Sequence, residues 1–190
     1  QCKDNQLTSI ELPEGTVLES LTCEENRLES IDLSKNPGIT MFYCENNLLT
    51  TLDITKNPLI THLNCGFNQL ENLDISKNTI LKHFRCFNNN LTELDVSNHE
   101  TIRDLYCENN QIISLDLSNN ADFRILSCEN NQLNSLYLKN NSSSWMFGAN
   151  YFLLSGNENL KNIDGLRNIE TVVTEIIIGE NPELLNIDGL

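Results

Sequence analysis

The sequence is short of positive charge. Twelve lysines and arginines stand against 27 aspartates and glutamates, giving a net charge of −15 at pH 7. A chain this acidic is repelled by nucleic-acid phosphates and by anionic membrane surfaces, so neither is expected as a partner. No stretch approaches the roughly 20 apolar residues that a membrane-crossing helix needs, so no membrane insertion is expected. The chain also lacks a nucleophile elbow, a phosphate-binding loop and the paired histidines of a zinc-hydrolase helix, which argues against an enzyme. No cofactor is implied, and no leader peptide is visible at the start.

What the chain has instead is a fixed period. Its seven cysteines stand at positions 2, 23, 44, 65, 86, 107 and 128, every gap being 21 residues. Asparagine follows three residues after each one, as Asn5, Asn26, Asn47, Asn68, Asn89, Asn110 and Asn131, and Leu or Ile follows after five. Apolar residues stand two before (Leu21, Phe42, Leu63, Phe84, Leu105, Leu126) and five before (Leu18, Ile39, Ile60, Leu81, Ile102, Phe123). The frame is L-x-x-L-x-C-x-x-N-x-L, the leucine-rich-repeat signature with cysteine at its third apolar position.

A unit this short cannot bury its own apolar face, but stacked units bury one continuous core. The stretch x-L-x-C reads as a short strand with alternate residues in and out, and stacking at constant register gives a parallel sheet with strands ~4.8 Å apart. The inward Asn26, Asn47, Asn68, Asn89, Asn110 and Asn131 are polar and must be satisfied, so they are expected to bond to backbone groups of their own and the neighbouring turn as a ladder. Cys23, Cys44, Cys65, Cys86, Cys107 and Cys128 read as small buried hydrophobes in a second ladder. An odd count excludes complete pairing, side chains pointing the same way suit stacking over bridging, and ligands along a line cannot close a tetrahedral metal site. Denatured protein is therefore expected to titrate as seven free thiols.

The second half of each repeat reads I-D-L-S-K-N at residues 31–36, L-D-I-T-K-N at 52–57 and L-D-I-S-K-N at 73–78, and drifts at 94–99 and 115–120. This suits a short extended or 3₁₀ segment with no room for a full helix. The column Asp32, Asp53, Asp74, Asp95, Asp116 lacks the dense oxygen set of a calcium loop. Turn bonding, with pairing to Lys35, Lys56 and Lys77, is the expectation. His99 takes the place of the asparagine that ends this segment elsewhere.

After Tyr137 the register breaks. The next frame position would be Ala149, with residues 140–144 forming a longer loop and Trp145, Met146 and Phe147 filling the seam. A second frame, recurring after 24 residues, occupies 154–166 and 178–190. Strands are expected at 151–154 and 175–178, with Asn157 and Asn181 continuing the ladder. The reading is one domain over 1–190: seven 21-residue repeats to 138, a transition at 139–153 and two longer repeats at 154–190. The chain opens and closes inside repeats without the polar caps that solenoids use, so it is expected to be part of a longer protein.

The ladder also marks which residues face solvent. Tyr43, His62, Phe67, His83, Arg85, Phe87, Arg103 and Tyr106 are expected to cluster on four adjacent strands, rimmed by Glu24, Glu25, Glu45, Glu108 and Glu129. Exposed aromatics mixed with arginine on a rigid sheet have the composition of an interaction hot spot, although cross-strand aromatic pairs can also simply support a sheet. His62, His83 and Asp104 fall in one column, which raises a two-histidine, one-carboxylate metal site as a lesser alternative. A straight ladder makes their convergence awkward, and no metal is expected.

The full frame L-x-x-L-x-C-x-x-N-x-L-x-x-L-D-L-S-x-N resembles the 21-residue cysteine-ladder leucine-rich repeats of internalin J-like bacterial surface proteins, over roughly residues 1–138. Residues 154–190 are similar to receptor L-domain repeats. The resemblance implies a right-handed solenoid of the leucine-rich-repeat (α/β horseshoe) class, mostly β, with the parallel sheet on its concave face and short extended or 3₁₀ convex segments. It further implies a secreted or cell-surface bacterial location and a role in adhesion or partner binding as a monomer. Apart from the resemblance, the basic centre of that face on an acidic body favours an anionic partner, a protein or an acidic glycan. An intracellular scaffold built on the same sheet is the alternative function.

Overall fold

A computed structural model describes residues 1–14, 17–120, 123–138, 151–163, 166 and 174–187. Five strands of one pattern come first: β1 (Ser20–Thr22), β2 (Met41–Tyr43), β3 (His62–Asn64), β4 (His83–Arg85) and β5 (Asp104–Tyr106). They are followed by β6 (Ser114–Leu117), β7 (Ile125–Ser127), β8 (Ser135–Leu138), β9 (Tyr151–Leu153) and β10 (Glu175–Ile177). Eight of these form one parallel sheet in the order β1-β2-β3-β4-β5-β7-β9-β10, while β6 and β8 pair separately on the other side of the repeats. This is the parallel solenoid that the period requires. The middle residues Leu21, Phe42, Leu63, Phe84, Leu105, Leu126 and Phe152 lie in register and are buried in one continuous core.

Each cysteine from Cys23 to Cys128 stands one residue beyond its strand. The Cys23 N–H donates to the Tyr43 carbonyl at 2.8 Å, extending the backbone pairing, and the thiol also points at that oxygen at 3.5 Å. All seven cysteines are free thiols, six of them buried. Burial pushes Cys23 and Cys65 up to about 12 and Cys44, Cys86, Cys107 and Cys128 well above the usual thiol range. The thiolate is the reactive form. Native protein treated with a thiol reagent should therefore release one equivalent promptly, from half-buried Cys2, and seven only after denaturation. Six prompt equivalents, or fewer than six after denaturation, would contradict the ladder.

The asparagine ladder reaches back to the preceding turn. The Asn89 amide donates to the Cys86 and Phe87 carbonyls of its own repeat and to the Cys65 carbonyl of the one before, while its Oδ1 accepts from Leu70 N–H. The same pattern recurs at Asn26, Asn47, Asn68, Asn110 and Asn131. The residue just before each ladder asparagine is left-handed, from Asp4 through Glu25, Asn46, Phe67, Asn88, Asn109 and Asn130. That bend sits between the asparagine and the two carbonyls of its own turn that it binds.

At the seam the structure departs from the simple frame. Leu126 pairs with Phe152, and the Cys128 N–H donates to the Leu153 carbonyl at 3.0 Å, so Leu154 and not Ala149 takes the next ladder position. The strands end at Leu153 and Ile177, because Leu154 and Ile178 stand beyond them just as the cysteines do. Asn157 continues the ladder, donating to the Cys128 and Leu154 carbonyls, and Asn181 accepts from the Asn157 N–H. Ala149 and the expected loop and seam residues 140–147 lie outside the described residues.

On the back of the repeats the segments are extended and closed by β-turns, such as that from the Asn36 N–H to the Leu33 carbonyl; Leu166 is the single 3₁₀ residue among those described. Two back segments pair strongly enough to become β6 and β8, so the 3₁₀ alternative does not apply to them. A second buried column, Asn36, Asn57, Asn78, His99 and Asn120, joins these turns, with Asn78 donating to the Ile54 and Asn57 carbonyls. His99 donates from Nε2 to the Ile75 carbonyl at 2.9 Å, and its Nδ1 is buried without a partner. Each Asp of the acidic column accepts from the backbone N–H two residues on, as Asp32 does from Ser34. These hydrogen bonds hold Asp32, Asp53, Asp74 and Asp95 below the usual carboxylate range. The expected Asp–Lys contacts do not form among the described residues: Lys35 pairs with Glu14, and the lysines act on the Asp column only through their charge.

Candidate binding face

Alternation along each strand sends one residue inward and its neighbours outward. On the outward side β2, β3, β4 and β5 lie side by side, with Tyr43, Asn64, Arg85 and Tyr106 in register and His62, His83 and Asp104 in a second column. Five of the eight residues singled out from the sequence, Tyr43, His62, His83, Arg85 and Tyr106, therefore come to one face, and Phe67 and Phe87 follow β3 and β4 in the adjoining turns. Arg85 and Phe67 are exposed, while Tyr43, His62, His83, Phe87, Arg103 and Tyr106 are half-buried. Arg103 immediately precedes β5.

Three contacts organise this face. The first is a polar chain at the start of the strands. Asp104, only 6% exposed, receives Arg124 Nε on Oδ1 and the Arg124 terminal nitrogen on Oδ2, both at 3.2 Å, and meets His83 Nδ1 at 2.5 Å. His83 in turn stacks on His62, with ring centroids 4.5 Å apart and planes at 25°. Burial lowers the His62 imidazole below its usual range, and the charges of His83, Lys82 and Arg85 push the same way. The two rings lie face to face and Asp104 is engaged by Arg124. Among the described residues no group of three His, Cys, Asp or Glu is placed to hold a metal ion.

The second contact sets the Arg85 guanidinium 5.0 Å from the centre of the Tyr106 ring, within cation–π range. The third brings Phe67 and Phe87 edge to face, 5.3 Å apart at 86°. Phe87 lies over Gly66, where an added Cβ would come within 2.8 Å of its ring. Around these groups runs a lane of carboxylates. Asn64 bonds to Glu45, and the Ser127 hydroxyl lies 2.8 Å from Glu108 and 2.6 Å from Glu129. Burial raises Glu108 above the usual carboxylate range, and Glu129 adds to the effect.

Several of these participants escape a reading of the expected face. Asn64, Asp104 and Ser127 sit at outward positions yet are buried at 5%, 6% and 3% exposure, because longer neighbours fold over them. Gly66 carried a usable signal: it stands where adjacent repeats have Glu45 and Phe87. On the back, a shallow cleft of about 550 Å³ is lined by Leu73, Leu94, Val96 and the aspartates 74, 95 and 116. Those aspartates are held in their turns, and the cleft is a furrow between repeats.

The fold has solved counterparts. The functional domain of InlJ from Listeria monocytogenes, which includes a cysteine ladder, superposes with a TM-score of 0.60 at 26% identity, covering 97% of this chain and 49% of its own. The leucine-rich-repeat domain of APL1B gives 0.70 at 18% identity over 94% of this chain and 55% of that one. The internalin InlF from Listeria monocytogenes gives 0.67 at 18% identity over 89% and 52%. The chain thus spans about half the length of these structures. No protein-family profile and no curated protein matches the sequence.

Proposed function

We propose that this chain, a cysteine-ladder leucine-rich-repeat solenoid, is a non-catalytic protein-binding module whose partner docks on the outward sheet face between Tyr43 and Tyr106. The observation that carries this reading is the Phe67–Phe87 and Arg85–Tyr106 grouping. Large rings and a guanidinium are held in fixed poses on a rigid surface, outside the core, which is how binding hot spots are built. Solenoids of this kind bind through their extended sheet surfaces.

The test uses binders selected from a naive display library against the native chain. Arg85→Ala with Phe87→Ala should weaken most of them by at least about 100-fold, since two hot-spot residues each contribute on the order of 2 kcal/mol. The melting temperature should stay within about 2 °C of the parent, as expected for changes outside the core. Unchanged affinity sinks the reading, and a large fall in melting temperature would make these side chains supports of the sheet.

The likeness to bacterial surface repeats supports a secreted or cell-surface location and a role in adhesion. Free cysteines ordinarily argue for a reducing compartment. Here burial keeps six of them protonated and shielded, so the ladder tolerates an oxidising exterior. Protease treatment of intact source cells should remove the protein, whereas cleavage only after lysis would favour an intracellular scaffold.

A further inference from the structure

One lane of the sheet face changes character at its centre. Immediately after the ladder cysteines stand Glu24, Glu45, Gly66, Phe87, Glu108 and Glu129. Carboxylates hold both ends of the lane, and the Phe67–Phe87 pair holds the middle. Two departures from the repeat pattern make that pair. Gly66 removes the side chain that would collide with the Phe87 ring. Phe67 takes a left-handed position, φ 47°, that the adjacent repeats fill with Asn46 and Asn88. Asparagine tolerates this conformation, and a bulky aromatic does so only under strain. Phe67 is also 49% exposed, so it returns little burial to the fold. A strained, exposed ring retained at a surface is explained by what it touches outside the chain.

The charged residues of the lane itself are all carboxylates. Glu108 and Glu129 both reach the Ser127 hydroxyl, whose single proton serves one carboxylate at a time. The cations of the face stand off this lane: Arg124 and His83 bind Asp104, Arg85 lies on Tyr106 with its charge reaching Glu108, and Lys82 and Arg103 precede their strands at the opposite end. We infer that the Phe67–Phe87 pair anchors a protein segment carrying an apolar side chain between basic residues, which meet Glu45 on one side and Glu108 and Glu129 on the other. From Glu45 to Glu129 the lane crosses four strand spacings of ~4.8 Å, roughly 19 Å, the length of about six extended residues. An acidic segment would set like charges against each other there. The inference rests on the partner-binding reading above and adds the partner's chemistry.

Three capped peptides test it: Arg-Lys-Gly-Trp-Gly-Lys-Arg, the same with Ala for Trp, and the same with Glu for every basic residue. Affinity is read by fluorescence anisotropy at 0.15 M salt. The basic tryptophan peptide should bind at least tenfold more tightly than either of the others. Phe67→Asn should weaken it at least tenfold while leaving the melting temperature unchanged or higher. Glu108→Gln with Glu129→Gln should weaken it and flatten its salt dependence. Equal binding of the alanine peptide would reduce the effect to attraction by an acidic chain and overturn the inference, as would no binding of the basic tryptophan peptide. Preferential binding of the acidic peptide, lost on Arg85→Ala, overturns the inference and leaves the binding face standing. Display-selected binders indifferent to the Arg85 and Phe87 substitutions remove the face itself.

Discussion

Asn89→Ala is expected to lower the melting temperature by roughly 6–12 °C, more than any surface substitution in the chain. The side chain is buried; its two amide hydrogens are shared among the Cys65, Cys86 and Phe87 carbonyls, and its Oδ1 accepts from Leu70 N–H. Alanine leaves the Leu70 N–H without a partner in the interior, at about 1–3 kcal/mol, and takes one of two donors from the Cys65, Cys86 and Phe87 carbonyls, which keep Asn68, Asn110 and the Phe67 N–H. With the weakened carbonyl bonds added, a total near 3 kcal/mol is a large part of the ~5–15 kcal/mol that holds an ordinary domain folded. The exposed neighbour Asn90→Ala should change stability by less than about 0.5 kcal/mol. Thermal melts of the two variants, side by side, check the claim. Similar melting temperatures would mean that the asparagine column does not hold the turns together.

Phe84→Ala carries an effect at least as large. The ring is fully buried on the inward side of β4, between Leu63 and Leu105 of the adjacent strands. Truncating a core Phe costs about 3–5 kcal/mol in lost burial and cavity. In a stacked array each repeat contacts only its neighbours, so the loss falls on the centre and should weaken coupling between the two halves. Denaturant unfolding should show a lower midpoint with a broader or two-step transition. A single transition with an unchanged midpoint contradicts the stacked core. Phe87, three residues on, gives the opposite expectation: little change in stability and a loss of binding.

Much of this was legible in the sequence because spacing alone fixes direction. The 21-residue period set the strand register, and the cysteine and asparagine columns marked the inward side, so the outward residues followed by alternation. Tyr43, His62, Arg85 and Tyr106 could be placed on adjacent strands before any coordinates. What spacing does not carry is how side chains lean. Asp104 looked outward by count, yet Arg124 and His83 close over it. The stacking of His62 on His83, and the coverage of Gly66 by Phe87, depend on side-chain reach across strands. The seam was legible in part: the frame breaks after Tyr137, and Asn157, three residues beyond Leu154, marks where the ladder resumes, 154 − 128 = 26 residues after Cys128. The second polar column, with His99 among its asparagines, lay in a segment whose drift masked its buried role.

The binding face is most directly tested by amide hydrogen–deuterium exchange of the chain with and without a display-selected binder. The account predicts added protection in β2, β3, β4 and β5 and in the turns that follow them, centred on residues 62–67 and 83–88. Protection concentrated instead on the back furrow at residues 72–74 and 93–96, or on β6 and β8, would contradict it.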